Sequence, residues 1–284
     1  MRTIRTIAEM RAWLGNCRAE NRSVGLVPTM GAFHAGHHSL MRAAKDEQDA
    51  VVVSLFVNPT QFNDPKDLQN YPRSEANDAV EASELGVDVL FAPPASEMYP
   101  EGFATTVSVA GLSEILEGAE RGPGHFAGVC TVVCKLLNIV APDAAYFGQK
   151  DAQQVAVVKR MVRDLDLSSK IEVLPTVREP DGLALSSRNV RLSSEDREQA
   201  LSLSRALFAA RDAVAAGERD VERIRAAALA QIEDPEYLAV VDPLTFSPLS
   251  TIAAPALVAV AARVGPVRLI DNLVLEPVPA PVAT

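Results

Sequence analysis

Short apolar runs alternate with longer stretches of helical periodicity through the first part of the chain. The runs lie at 24–27, 51–57, 87–91, 144–147 and 171–177. Each is short and mostly apolar, as expected of parallel strands buried on both faces by crossover helices. Between them, the spacing of apolar positions predicts helices over 39–48, 74–85 and 152–165. Gly86 supplies a stop for the second helix, and Pro93-Pro94 ends the strand after it. The apolar run 129–140 could be strand or helix, and its length and Lys135 favour helix. Residues 105–109 alternate and predict a short strand outside the main sheet.

The character of the chain changes after the last run. Arg178-Glu179-Pro180-Asp181-Gly182 is a turn, and Ser186-Ser187-Arg188-Asn189 a polar loop. Ser193-Ser194-Glu195-Asp196 has the form of a helix start with acids in its first turn. That helix is expected to reach about residue 216, with a second over 221–232 and strands at 237–241, 256–264 and 267–270. The expectation is an α/β parallel-sheet domain over 1–186 and a smaller C-terminal α+β lid domain over 187–284. The Pro/Ala-rich tail from Pro277 is expected to fray.

Composition narrows the function. A length of 284 residues and 48% hydrophobic content suit a globular protein of one large or two modest domains. No apolar run approaches the roughly 20 residues that span a bilayer. Met1-Arg2-Thr3-Ile4-Arg5 lacks a signal-peptide core, so a cytoplasmic location is expected and a membrane partner is not. Cys130 and Cys134 read as buried small hydrophobes rather than a redox pair. A net charge of -10 counts against a nucleic-acid surface. An acidic protein that handles an anion must concentrate its few cations locally.

Four polar clusters follow the apolar runs, where open parallel sheets bind ligands. In the first, Met30-Gly31-Ala32-Phe33 leads into His34-Ala35-Gly36-His37. Backbone N–H groups and a helix N-terminus there suit a polyphosphate. His34 and His37, three apart, share a helix face, and Gly36 permits close approach. On the four letters alone, a helix that merely begins with histidines is as good a reading. His38 points elsewhere and reads as structural. A zinc site from His34 and His37 lacks further ligands nearby.

Asn58 and Gln61 form the second cluster. Their neutral amides can hold the hydroxyl and carboxylate groups of a small substrate, and turn chemistry is an equal alternative. The third is Gly148-Gln149-Lys150-Asp151, with Gln154 a turn later. Lys150 can neutralise β- and γ-phosphate charge, while Asp151 can cap the helix or touch ribose or magnesium. The fourth, Leu185-Ser186-Ser187-Arg188, is a triphosphate clamp on a mobile loop in one reading and a solvated linker in the other.

Six ordered motifs carry a resemblance. They are Pro28-Thr29-Met30-Gly31-x-x-His34-x-Gly36-His37, Phe56-Val57-Asn58-Pro59-x-Gln61-Phe62, Tyr71-Pro72-Arg73, His125-Phe126-Ala127-Gly128-Val129, Phe147-Gly148-x-Lys150-Asp151-x-Gln153-Gln154 and Asp181-Gly182-Leu183-Ala184-x-Ser186-Ser187-Arg188-Asn189. Together they resemble the pantothenate synthetases, from about residue 24 to 190 and more loosely to the end. The resemblance implies a Rossmann-like sheet of the His-x-Gly-His nucleotidyltransferase type. It implies that pantoate, β-alanine and ATP give pantothenate, AMP and pyrophosphate through a pantoyl-adenylate, with Mg2+, in a cytoplasmic homodimer.

By the same resemblance, Met30 to His37 contact ATP and His37 is the proton donor. Gly148, Gln149, Lys150, Asp151, Val177, Leu185, Ser186, Ser187 and Arg188 surround the nucleotide. Gln61 binds pantoate and β-alanine, and Gln154 binds pantoate. Independently of the resemblance, charge building on the α-phosphate and leaving oxygens calls for preorganised donors, and His34, Lys150 and Arg188 are expected to join His37 in that catalytic role. No metal ligand is identified. Gln149 replaces the family's usual Glu, and Phe33 and Ala35 replace Leu and Glu. Two other classes fit less well. A nucleotidylyltransferase would want more cations near Asn58 and Gln61, and an RNA-associated module would want a basic stripe.

Overall fold

All five apolar runs become parallel strands of one sheet, because each can bury both faces only under covering helices. The structure, a computed structural model, describes residues 1–63, 65–122 and 124–277. The tail expected to fray lies, beyond Pro277, outside the described residues. The chain divides into two compact units, Met1–Gln149 with Gln153–Pro175, and Lys150–Ala152 with Thr176–Thr284.

The first unit opens with β1 (Arg2–Ile4), α1 (Ile7–Ala19), β2 (Val24–Thr29), α2 (Ala35–Glu47) and β3 (Ala50–Leu55). A 3-10 turn (Pro59–Gln61) leads to α3 (Pro65–Gln69), α4 (Glu75–Glu84), β4 (Val89–Phe91) and α5 (Ala95–Met98). Then come α6 (Glu117–Arg121), α7 (Gly124–Val140), β5 (Ala144–Gly148), α8 (Ala152–Asp164) and β6 (Lys170–Leu174).

The six strands lie in the order β1-β4-β3-β2-β5-β6. The chain steps outward from β2 through β3 to β4, then returns to the other side of β2 for β5 and β6. The topological switch point therefore falls between β2 and β5, where Gly25 and Leu26 pair with Ala144 and Ala145. Leu40, Met41 and Ala44 of α2 pack on Val27, Val51, Val53 and Tyr146. Full burial of each large apolar side chain contributes about 1.5–3 kcal/mol, which fixes the start of α2 over the switch point.

The first unit departs from the sequence reading in several places, the short helices α3, α5 and α6 among them. β1 and α1 have no counterpart in it, although Thr6 caps α1 by accepting from the Glu9 N–H and donating to the Glu9 carboxylate, a Thr-x-x-Glu start signal. Residues 105–109 form no strand. The Val107 N–H goes to the Thr131 hydroxyl of α7 at 3.0 Å, so a helix side chain stands where a neighbouring strand was expected. β6 ends at Leu174, short of 177, and residues from Thr176 on belong to the second unit.

The second unit contains α9 (Ser194–Ala215), α10 (Val221–Leu229), β7 (Tyr237–Val241), β8 (Ala256–Val264) and β9 (Val267–Leu275). Ser193 starts α9 with both halves of a capping box to Asp196. The strands form an antiparallel sheet, β7-β8-β9. Leu207 and Ile224 pack against Val258, Val260 and Leu275 to make its core. β9 runs past 270 because Asp271 and Asn272, which break its apolar pattern, are buried. The boundary read at 186/187 falls inside this unit. Arg178 bridges Ala184 and forms an ion pair with Asp271, which ties residues 178–184 to β9. All three cysteines are free. Burial pushes the Cys130 thiol up to about 12, so it stays protonated and packs as a small hydrophobe.

Candidate active site

The turn after β2 is held in a conformation that few residues adopt. Thr29 donates its hydroxyl to the Ser54 carbonyl on β3 at 2.6 Å. Gly31 follows at φ +87, where an added Cβ would lie 2.7 Å from Leu55 and 2.9 Å from the Asp78 carboxylate. Ala32 also has a positive φ, 52, which costs on the order of 1–3 kcal/mol for a residue with a side chain. Asp78 of α4 offsets that cost. Its two carboxylate oxygens accept the N–H groups of Ala32 at 3.0 Å and Phe33 at 2.9 Å. Asp78 is 1% exposed, so these charge-assisted bonds form away from competing water.

His34 is the N-cap of α2, and its Nδ1 accepts the Gly36 N–H at 3.1 Å. In the neutral ring that leaves Nε2 carrying the proton, as a donor. A Cβ at Gly36 would sit 2.9 Å from the His34 ring, so a side chain there would displace the ring from this position. The His34 and His37 rings lie 4.2 Å apart, and Phe33 lies 5.5 Å from His37. The two histidines therefore meet at the helix N-terminus. α2 starts at Ala35, earlier than the expected 39, because His34 caps it. His38 turns away and pairs with Glu81 at 2.7 Å, joining α2 to α4.

Gln61 reaches the same strand end. Its Nε2 donates to the Met30 sulfur at 3.3 Å, and its carbonyl is 2.8 Å from Nδ1 of His125. Asn58 lies behind Gln61. It is 1% exposed, and its amide hydrogens go to Gln61 Oε1 at 3.0 Å and the Gly128 carbonyl at 3.1 Å. Its oxygen accepts from the hydroxyls of Thr60 at 3.0 Å and Tyr99 at 2.8 Å. Burial raises the pKa of Tyr99, which keeps it a donor. Asn58 thus braces the Gln61 side chain. Gly128 makes this possible, because a Cβ there would lie 2.5 Å from the Thr60 carbonyl.

Gln154 is half-buried in the first turn of α8. Its neighbour Gln153 is a fastener that the sequence does not single out. It accepts the Glu117 N–H at 3.0 Å and donates to the carbonyls of Leu112 and Ile115, both at 2.8 Å.

Gly148 ends β5, on the other side of the switch point, and Gln149–Asp151 form a 3-10 turn. In the second unit, the Lys150 ammonium lies 3.4 Å from the Asp151 carboxylate, and the Lys150 carbonyl accepts from Asn272 at 2.8 Å. The Leu185 N–H bonds to the Val177 carbonyl at 3.0 Å, which brings these two predicted residues together. Ser186 Oγ accepts the Arg188 N–H at 3.3 Å, and Asn189 donates to the Ala184 carbonyl at 3.0 Å. The loop carrying Ser186, Ser187 and Arg188 is therefore braced by bonds between its own side chains and backbone. Among the described residues, no three His, Cys, Asp or Glu side chains converge as a metal site.

A parallel sheet with paired imidazoles at a helix N-terminus beside its switch point is an α/β arrangement suited to a phosphorylated ligand. Comparison with known proteins narrows the class. The family model described as pantoate-beta-alanine ligase matches residues 2–274. A pantothenate synthetase of Heliobacterium modesticaldum is 53% identical over 97% of this chain and 100% of its own. The crystal structure of pantothenate synthetase from Thermus thermophilus superposes with a TM-score of 0.91 at 50% identity, covering 98% of this chain and 100% of that one. A Francisella tularensis pantoate-beta-alanine ligase, solved with β-γ ATP and β-alanine, gives 0.77 at 37% identity over 96% of this chain and 97% of its own. The chain belongs to the pantoate–β-alanine ligase family and is an acid–amino-acid ligase.

Proposed function

We propose that the chain joins pantoate to β-alanine in two steps, using the paired histidines after β2 to activate the carboxylate with ATP. The reason for two steps is chemical. A free carboxylate has no leaving group that an amine can displace. Attack of the pantoate carboxylate oxygen on the α-phosphorus forms the pantoyl-adenylate and releases pyrophosphate. Attack of the neutral β-alanine nitrogen on the acyl carbon then forms the amide and releases AMP.

Negative charge builds up on the α-phosphate and on the departing oxygen in the first step. Preorganised donors aimed at that charge lower the barrier. In the first unit these are the His34 Nε2–H, the His37 ring and the N–H groups at the start of α2. In the second unit Lys150, Ser186, Ser187 and Arg188 take the β- and γ-phosphates, and Val177 and Leu185 border the nucleotide. Gln61 and Gln154 hold pantoate through neutral amides, and Gln61 also meets β-alanine. The 185–188 loop keeps water from the anhydride.

The donor set fits magnesium carried in on the triphosphate. Mg2+ needs few protein ligands beside phosphates and water, and the partly exposed carboxylate of Asp151 lies at the Lys150 turn. Asp151 would hold it, and the ion would neutralise triphosphate charge. We place the enzyme in the cytoplasm as a homodimer.

The observation that carries this reading is the 4.2 Å pairing of His34 and His37 at the N-terminus of α2. Incubation with ATP, magnesium, pantoate and β-alanine should yield AMP and pantothenate in equal amounts. A product that retains the nucleotide would identify a nucleotidylyltransferase instead.

A further inference from the structure

We infer that Asp271 and Asn272, side by side on β9, are positioning residues that set the Lys150 turn and the Arg188 loop in one fixed relation. The inference rests on the reading of Lys150 and Arg188 as triphosphate ligands. The two residues interrupt an apolar strand opposite Val260 and Ala259. They are 3% and 4% exposed, so neither serves as a solvated surface group. Consecutive strand residues point to opposite faces, and each of these side chains reaches a different loop.

Asn272 donates from Nδ2 to the Lys150 carbonyl at 2.8 Å. Asp271 receives Arg178 in a two-pronged contact, 2.5 Å to Oδ2 and 2.9 Å to Oδ1. Arg178 also donates to the carbonyls of Gly182 at 3.1 Å and Asn272 at 3.3 Å. Thus Arg178 closes its own hairpin while gripping the strand. That hairpin delivers Leu185 to Val177 and leads directly into Ser186-Ser187-Arg188. The Asn272 N–H bonds to Asp271 Oδ1 at 2.7 Å, so the two side chains are oriented together. Burial raises the Asp271 carboxyl above its ordinary pKa, against the lowering effect of Arg178. Buried ion pairs are weak contributors to stability, because desolvation offsets their attraction. A geometric role is what remains to explain a charged pair in this strand.

The test is the ATP kinetics of Asn272→Ala, Asp271→Asn and Lys150→Ala, alone and with Asn272→Ala and Lys150→Ala combined. Asn272→Ala leaves every proposed phosphate ligand in place. It should lower kcat/KM for ATP by about ten- to a hundredfold, since small misplacements of a charge are costly, while KM for β-alanine holds. The double variant should be no worse than Lys150→Ala, because Asn272 acts through Lys150. Asp271→Asn, which keeps the shape and weakens the grip on Arg178, should also impair ATP use and provides a second route if Asn272→Ala does not fold. A lowered Tm with ATP kinetics within about twofold of the parent would make the pair merely structural and overturn the inference, leaving Lys150 as a ligand. Normal ATP kinetics in Lys150→Ala would remove the ligand reading and the inference with it.

Discussion

Replacing His37 by alanine is expected to lower turnover by about a hundred- to a thousandfold and to leave the fold intact. The size is that of removing one preorganised donor, the role proposed for His37 at the α-phosphate. The fold survives because Leu40, Met41 and Ala44, not His37, bury α2 against the sheet. His34→Ala should cost as much in turnover and a further ~1 kcal/mol in stability, since His34 also caps the helix. His38→Ala removes the pair with Glu81 and should barely change turnover. Steady-state rates at saturating substrates, beside circular dichroism spectra, check all three. A loss below about tenfold in a folded His37→Ala would contradict the phosphate-donor role.

Lys150→Ala is expected to reduce kcat/KM for ATP by about a hundredfold or more, with KM for β-alanine little changed. The side chain is mostly buried, 20% exposed, and its ammonium lies 3.4 Å from Asp151, so its charge is focused at the start of α8 and not dispersed in solvent. In the proposed role, loss of that positive charge takes a partner from the triphosphate oxygens. Lys150→Arg should recover part of the loss. Titrating ATP at fixed pantoate and β-alanine separates this from a defect in acceptor binding. An equal fall for every substrate would point to a folding defect instead.

Local chemistry is legible in the sequence, and contacts between distant segments are not. The apolar runs mark five of the six parallel strands. The His34 to His37 turn and the Ser193 cap are readable because each depends on neighbours within four residues. Nothing local marks Asp78, since its partner Ala32 lies 46 residues away. Asp271 and Asn272 find Arg178 and Lys150 across separations of 93 and 122. Nothing in the local pattern marks them except an interruption, which looks like the end of a strand. Residues 105–109 show the reverse error. Alternation marks an extended segment, and the fold supplies Thr131 in place of a second strand. Asn58 is ambiguous for a related reason, since a turn amide and a substrate amide look alike in sequence, and its partners Tyr99 and Gly128 lie 41 and 70 residues away.

In the proposed two-step reaction the carboxylate is activated before the amine takes part. Exchange of labelled pyrophosphate into ATP tests it most directly. With magnesium and pantoate present and β-alanine absent, the enzyme should catalyse exchange, because adenylate formation needs the carboxylate and ATP alone. Exchange that appears only once β-alanine is added would contradict the two-step account. Exchange without pantoate would point to an adenylylated enzyme, and the substrate roles given to Gln61 and Gln154 would fall with it.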